Sequence, residues 1–338
     1  MNGHNKKSLI SGIVFAILIA FPSWFLGRQF PVIGGPVFAI IIGLILGIFY
    51  SNDKLVPGIS FTAKKILQYS IVLLGFSMNL YNILEVGKNS LLIIVSTISA
   101  ALITAYLVSK FLKIPQKTAI LIGVGSSICG GSAIAATAPA INAESEDVAK
   151  AISTIFFFNV IAALIFPSIG KFLGMTDYGF GMFAGTAVND TSSVVAAATT
   201  WSVMAGNNTA LEMATIVKLT RTLAIIPITF VLALYTAKKE KSKDQSKDFS
   251  LMKIFPWFIV YFLIAAIINT IFSLDPSISS SLVTLGKFMI TMAMAAIGFN
   301  TDVKSLIQGG IKPILLGLLC WIAVALTSLA AQTLLGIW

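Results

Sequence analysis

The chain has 338 residues, of which 57% are hydrophobic and only 11% charged, and its mean hydropathy is +0.93. A soluble domain averages about 45–50% apolar and about 25% charged residues, so this composition excludes a water-soluble globule and places the chain in a lipid bilayer. Lysine and arginine outnumber aspartate and glutamate 23 to 13, a formal net charge of +10. The lysines fall in short loops, so the positive-inside rule accounts for them and no nucleic-acid partner is expected.

A membrane-spanning helix needs about 20 mostly apolar residues. Eleven segments qualify: 8–26, 34–50, 64–81, 89–110, 117–140, 149–172, 178–200, 211–236, 254–273, 282–300 and 312–336. The first follows Lys6-Lys7 without a small-residue cleavage site and is read as a helix rather than a signal peptide. The expected fold is therefore an all-α polytopic membrane protein forming a single transporter domain. Residues 237–250 are a Lys/Asp/Ser-rich cytoplasmic linker between the helices of 8–236 and those of 251–338.

With the N-terminus in the cytoplasm, the inner loops hold Lys54, Lys64, Lys65, Lys110, Lys113, Lys117, Lys171, the run Lys238 to Lys243, Lys304 and Lys312. The outer turns then hold Arg28, Glu85, Lys88, Glu144, Glu146, Asp147, Glu212 and Asp275, and the C-terminus lies outside.

Two of the segments are poor helices. In 117–140 the run Gly125-Ser126-Ser127-Ile128-Cys129-Gly130-Gly131-Ser132 combines three glycines with three serines among eight residues. In 178–200 a similar run, Gly185 to Ala197, contains Asn189-Asp190-Thr191-Ser192-Ser193. Gly125 can be laid on Gly185 and Ser132 on Ser192, and both runs lead into alanine-rich helix. Unwound backbone at membrane depth survives only against protein or a water-filled cavity, so both are expected to be discontinuous helices at a binding site. By this topology both run in the same direction, whereas a strict inverted pair should oppose, and the sequence leaves their relative orientation open. A second self-similarity joins 64–92 to 287–315: Lys64 meets Lys287, Gly75-Phe76 meets Gly298-Phe299, Asn79 meets Asp302 and Gly87 meets Gly310. The copies start on opposite sides, an inverted repeat of the kind secondary transporters use.

The chemistry-bearing residues cluster in these segments. Ser126, Ser127, Cys129, Gly130, Gly131 and Ser132 offer backbone groups, hydroxyls and a helix N-terminus suited to an anion. Asp190 is the one acidic residue near the centre of a span, and a charge there is a functional candidate by default. With Asn189, Thr191, Ser192 and Ser193 it could bind a coupling proton or a hard cation such as Na⁺. Lys218 and Arg221 lie three residues apart on one helix face. They either hold an anionic substrate or neutralise Asp190. The competing structural readings are an Asp190 helix cap, a snorkelling Lys218 and a Cys129 that only fills space. Pro139, Pro167 and Pro227 read as helix kinks or ends, and Gly75 and Gly298 as close helix contacts.

Cys129 and Cys320 both sit in apolar segments, which argues against a disulfide framework, and His4 is the sole histidine. No P-loop, zinc spacing or dinucleotide fingerprint is present, so neither an enzyme nor a cofactor beyond a coupling H⁺ or Na⁺ is expected.

The segments Ser127 to Ala136, Thr186 to Val194 and Lys218-Leu219-Thr220-Arg221 resemble the signature segments of the YeiH-type bacterial inner-membrane proteins grouped as a sulfate exporter family. Residues 66–172 more distantly resemble the first repeat of the bile-acid/sodium symporters. These resemblances imply a panel and a core domain, two discontinuous helices crossing at mid-membrane, and secondary export of a sulfate- or sulfonate-like anion across the inner membrane, with a homodimer as one assembly open to it. Two rival functions stand beside this one: a cation-coupled carrier of a neutral or amphipathic solute, and a channel or non-transporting scaffold.

Overall fold

The computed structural model describes residues 3–30, 35–50, 53–239, 257–301 and 310–338, and among these all regular structure is helical. Most of the 237–250 linker, and Asp302 and Lys304 from the second repeat copy, lie outside the described residues. In lipid only a helix satisfies its own backbone along its length, which is why apolar runs of this size become helices here. Among the described residues six helices are long and apolar enough to cross a membrane: Ser8–Gln29, Leu80–Leu112, Glu146–Phe172, Thr209–Thr236, Pro276–Asn300 and Ile311–Leu334.

The helices form two groups. The first, a scaffold, contains α1 (Gly3–Gln29), α2 (Gly35–Phe49), α3 (Val56–Phe61) and α4 (Leu67–Gly75), the last two joined by a π-turn over Thr62–Ile66. Its remaining members are α13 (Trp257–Phe272) and α14 (Pro276–Asn300). Helices α2 and α14 pack most intimately, because a Cβ at Gly43 would run into the Ala295 carbonyl and one at Gly298 into the Ile40 carbonyl. Small residues at such contacts let helix backbones close up in a membrane, where dispersion and not hydrophobicity holds helices together.

The second group is built on α5 (Leu80–Leu112), α8 (Ser145–Phe172) and α15 (Ile311–Leu334). Asn79 caps the start of α5 by accepting from the Tyr81 N–H at 2.8 Å, and Lys113 ends it in the left-handed conformation at φ 53°. Between and after these lie α6 (Gln116–Ser127), α7 (Gly131–Ala140), α9 (Asp177–Ala187), α10 (Thr191–Ala205), α11 (Thr209–Thr222) and α12 (Ile225–Lys239).

The two discontinuous segments do not cross the bundle. Lys117 Nζ at the start of α6 donates to the Asn142 carbonyl beyond the end of α7 at 2.7 Å, and Thr118 hydrogen-bonds Asp147 at the start of α8. A straight helix would separate Lys117 from Asn142 by about 37 Å. Instead α6 runs inward, the chain reverses at Ile128–Gly130, and α7 returns alongside it, with Ile134 packed on Gly125. The second segment does the same. Asp177 at the start of α9 accepts from Trp201 Nε1 near the end of α10 and from Asn207 Nδ2, both at 2.7 Å, while Phe180 and Trp201 stack at 4.1 Å. Two of the eleven segments read as spans, 117–140 and 178–200, are therefore re-entrant helical hairpins, not crossing helices. Each half-helix of 10 to 15 residues is too short to span and turns back where glycine or an Asx cap breaks it.

The hairpins enter from opposite ends. Helix α8 connects the base of the first to the base of the second, and its 28 residues cover about 42 Å. Along α15, Cys320 lies beside Ala101 of α5, Ser328 bonds Thr186 near the end of α9, and Trp338 accepts from Thr176 at the start of α9. The relative direction of the two interrupted segments, left open by the sequence, is opposed: α6 and α9 point toward each other. Glu144, Glu146 and Asp147 consequently lie at the same end as Lys117, and Lys171 lies at the opposite one, whereas the expected topology grouped Lys117 with Lys171 and apart from the acidic cluster.

Scaffold and hairpin group meet mainly through α10, which packs on α2 and α14. Hydrogen bonds from Lys287 to Asn208, from the Leu80 N–H to Thr270 and from Asn269 to the Met78 carbonyl tie the groups at the end where the second hairpin enters.

Candidate functional site at the hairpin tips

Helices α6 and α9 are 12 and 11 residues long, so each reaches about 16–18 Å into the bundle, half the thickness of a bilayer core. Their C-terminal carbonyls, which a helix leaves unpaired, converge there. Helix α11 runs past both tips and supplies what they lack. Lys218 Nζ donates to the carbonyls of Ile128 at 2.6 Å and Val188 at 3.0 Å and to that of Asn189. Arg221 donates through Nε to the Ser127 carbonyl at 2.7 Å, through Nη2 to Ser126 at 2.9 Å, and through Nη1 to Thr186 at 2.7 Å and Val188 at 3.5 Å.

The pattern is two-fold. With Gly125 laid on Gly185, Ser126 falls on Thr186 and Ile128 on Val188; Arg221 holds the first pair of carbonyls and Lys218 the second. Both cations are fully buried. All three ammonium donors of Lys218 are engaged, the geometry of its charged form. These side chains offset the negative ends of two helix dipoles and lock the two tips to a third helix.

The positive helix ends face the other side of the junction. Gly130 turns the first tip with φ +67°, and a Cβ there would lie 3.1 Å from the Asp190 Cβ and 3.4 Å from Asn159 Nδ2. Asp190 turns the second tip as the N-cap of α10; its Oδ2 accepts from the Ser192 N–H at 2.9 Å and from the Ser192 hydroxyl. Its own N–H donates to Asn159 Oδ1 at 3.2 Å. The geometry is that of the helix cap expected as the structural reading of Asp190.

Among the sequence-predicted residues, Ser126, Ser127, Asn189, Lys218 and Arg221 form the buried, carbonyl-lined side of the junction, with Ser126 and Ser127 acting through backbone oxygen. Gly130, Gly131, Ser132, Asp190, Thr191, Ser192 and Ser193 form the side where the half-helices α7 and α10 begin. Ser132 is exposed, and Gly131, Asp190 and Thr191 are half-buried, so this side is reached from outside the protein. Cys129 packs among Val124, Ile128, Ala133 and Ile225. Lys218 and Arg221 are engaged with backbone carbonyls at the two negative, C-terminal helix ends, and neither comes within 4 Å of an Asp190 carboxylate oxygen.

Asn159 is a site residue the sequence reading missed. It is 1% exposed, sits midway along α8, touches both tips, and its Nδ2 has no partner. The signal was a lone amide inside the apolar run Ile155-Phe156-Phe157-Phe158-Asn159-Val160. Asn189 is likewise buried with both side-chain polar atoms unpaired. Two surface grooves of about 490 and 530 Å³ lie in the scaffold, beside Trp24 and Phe288 and beside Tyr69 and Tyr261, away from the tips.

The chain is similar along its full length to curated bacterial proteins. It is 56% identical over 342 residues to a UPF0324 membrane protein of Streptococcus pyogenes serotype M18, covering all of both chains. It is 54% identical over 339 residues to one of Streptococcus mutans, covering 98% of this chain and 99% of that one. It is 53% identical over 343 residues to one of Fusobacterium nucleatum, covering 97% and 98%. The family described as Conserved hypothetical protein 698 matches residues 11–317, and the chain is a membrane protein that belongs to this family.

Proposed function

We propose that the protein is a secondary transporter of a small anion, sulfate or sulfonate-like, in the bacterial inner (plasma) membrane. The observation that carries this reading is the tip junction: two hairpins enter from opposite ends, and their carbonyl ends are held at mid-depth on Lys218 and Arg221. Half-helices meeting at the midplane are how many secondary transporters place a substrate between two faces of the membrane. The charge balance favours an anion. The two C-terminal and two N-terminal helix ends cancel to first order, which leaves two cations against the single carboxylate of Asp190. A buried surplus of positive charge calls for a negative partner.

In this reading the chain crosses the membrane nine times, counting the α3–α4 rod and the pair α11–α12 as one crossing each, and carries two hairpins. The N-terminus is cytoplasmic and the C-terminus outside. The hairpins are one inverted pair, and α4–α5 with α14–α15 another. Asp190 couples transport to H⁺ or Na⁺, and the hairpin group moves against the scaffold to expose the junction alternately. The resemblance to sulfate-exporter-like proteins supplies the anion and the outward direction. The test is labelled-sulfate flux in proteoliposomes under imposed pH, Na⁺ and electrical gradients. Gradient-driven flux that sulfonates compete for supports the reading. Electrical currents without saturation would favour a channel, and absence of flux for sulfate, sulfite, thiosulfate and taurine by folded protein would sink it.

A further inference from the structure

We infer that the coupling ion is a proton held by Asp190, and that proton and anion occupy one shared site between Gly130, Asp190 and Asn159. The inference rests on the anion-carrier reading and deepens it. Three observations carry it.

The first concerns sodium. In hairpin-built transporters Na⁺ is taken by the carbonyls of unwound backbone and half-helix C-termini. Here those carbonyls, of Ser126, Ser127, Ile128, Thr186, Val188 and Asn189, all accept from Lys218 or Arg221. Two tethered cations stand where free ones would bind.

The second concerns where an anion can go. The N-termini of α7 and α10 open onto the same half-buried spot, and Asn159 Nδ2, buried and unpartnered, lies against the Gly130 end of it. A buried donor without an acceptor marks a place where an acceptor arrives. The Asp190 carboxylate already lies there, capping α10.

The third is charge. Two negative groups within a few ångströms cannot both remain ionised in such a site. The titratable groups that act on Asp190 are Lys218 from α11 and Cys129 from the first tip; α8 offers only Asn159 at this depth, α2 carries no titratable residue, and Lys287 of α14 is turned to Asn208. The anion therefore loads with one proton on a carboxylate oxygen of Asp190, and both leave together on the far side. Protonation raises the surplus at the junction from one positive charge to two, which suits a divalent oxyanion. A dianion travelling with one proton carries a net charge of −1, which an interior-negative potential drives outward.

The experiment is binding of labelled inorganic sulfate to protein in lipid nanodiscs from pH 5 to 8, with sodium or choline as the salt, for wild type, Asp190→Asn and Asn159→Leu. For one linked proton, wild-type affinity falls about tenfold per pH unit above the titration of Asp190 and is the same in both salts. Asp190→Asn, a fixed neutral carboxamide, binds sulfate at pH 8 as it does at pH 5. Asn159→Leu weakens binding about tenfold or more and keeps the pH slope. An Asp190→Asn protein that retains the wild-type slope, or affinity that rises with sodium at fixed pH, overturns the assignment while leaving the anion carrier intact. Wild type that binds none of the small anions at any pH overturns both.

Discussion

Lys218 is the side chain on which the tip architecture depends most, and replacing it with methionine removes three hydrogen bonds while keeping most of the volume. The carbonyls of Ile128 and Asn189 then have no donor, and that of Val188 keeps only the long 3.5 Å bond from Arg221. A buried carbonyl left unpaired costs about 1–3 kcal/mol. Removing one charged member of a buried network typically costs about 3–5 kcal/mol in all, relaxation included. At about 2 °C per kcal/mol for a chain of this size, the thermal midpoint in detergent should fall by about 6–10 °C. Arginine in its place keeps the charge but spreads its donors over a planar fork, so Lys218→Arg should be intermediate. Lys218→Ala opens a cavity lined by the same carbonyls, and ammonium ions should restore part of its lost stability where tetramethylammonium does not. A Lys218→Met protein melting within 1 °C of wild type would refute the claim that this ammonium holds the tips.

The bases and turns of the hairpins make further predictions. Asp177→Ala breaks the bonds to Trp201 and Asn207 at the base of the second hairpin and should cost about 1–3 kcal/mol, read as a lower melting midpoint and faster proteolysis at residues 205–209. Gly130→Ala forces a side chain into φ +67° and against Asp190; strain of about 1–3 kcal/mol should separate the tips and abolish anion flux while the protein still inserts. Gly298→Val pushes α14 off the α2 backbone and should lower the yield of monodisperse protein on size exclusion.

How much of this was legible from the sequence is decided by what hydropathy records. It counts apolar length and does not record direction. The stretch 117–140 reads identically whether it runs straight through or doubles back at Ile128, and only the pairing of Lys117 with Asn142 and of Thr118 with Asp147 tells the two apart. The weak points themselves were visible, because glycine, serine, asparagine and aspartate in an apolar run are a local signal; the first break falls at Ile128–Gly130, inside the run Gly125 to Ser132. Lys218 and Arg221 stood out as intramembrane charges. Their partners did not, since backbone carbonyls some 30 to 95 residues away leave no mark in composition. Asn159 was overlooked because one amide barely changes the mean hydropathy of its helix.

The central claim is that the two discontinuous segments are hairpins entering from opposite faces, and site-directed labelling tests it most directly. Single cysteines at Gln116 and Glu144, at the base of the first hairpin, and at Lys171 and Ala205, at the base of the second, are all at exposed positions, while the native Cys129 and Cys320 are buried. In oriented membranes an impermeant maleimide should modify the cysteines at Gln116 and Glu144 from one face and those at Lys171 and Ala205 from the other. Labelling of the Gln116 and Glu144 positions from opposite faces would mean that the first segment crosses the membrane, and the hairpin account would fall.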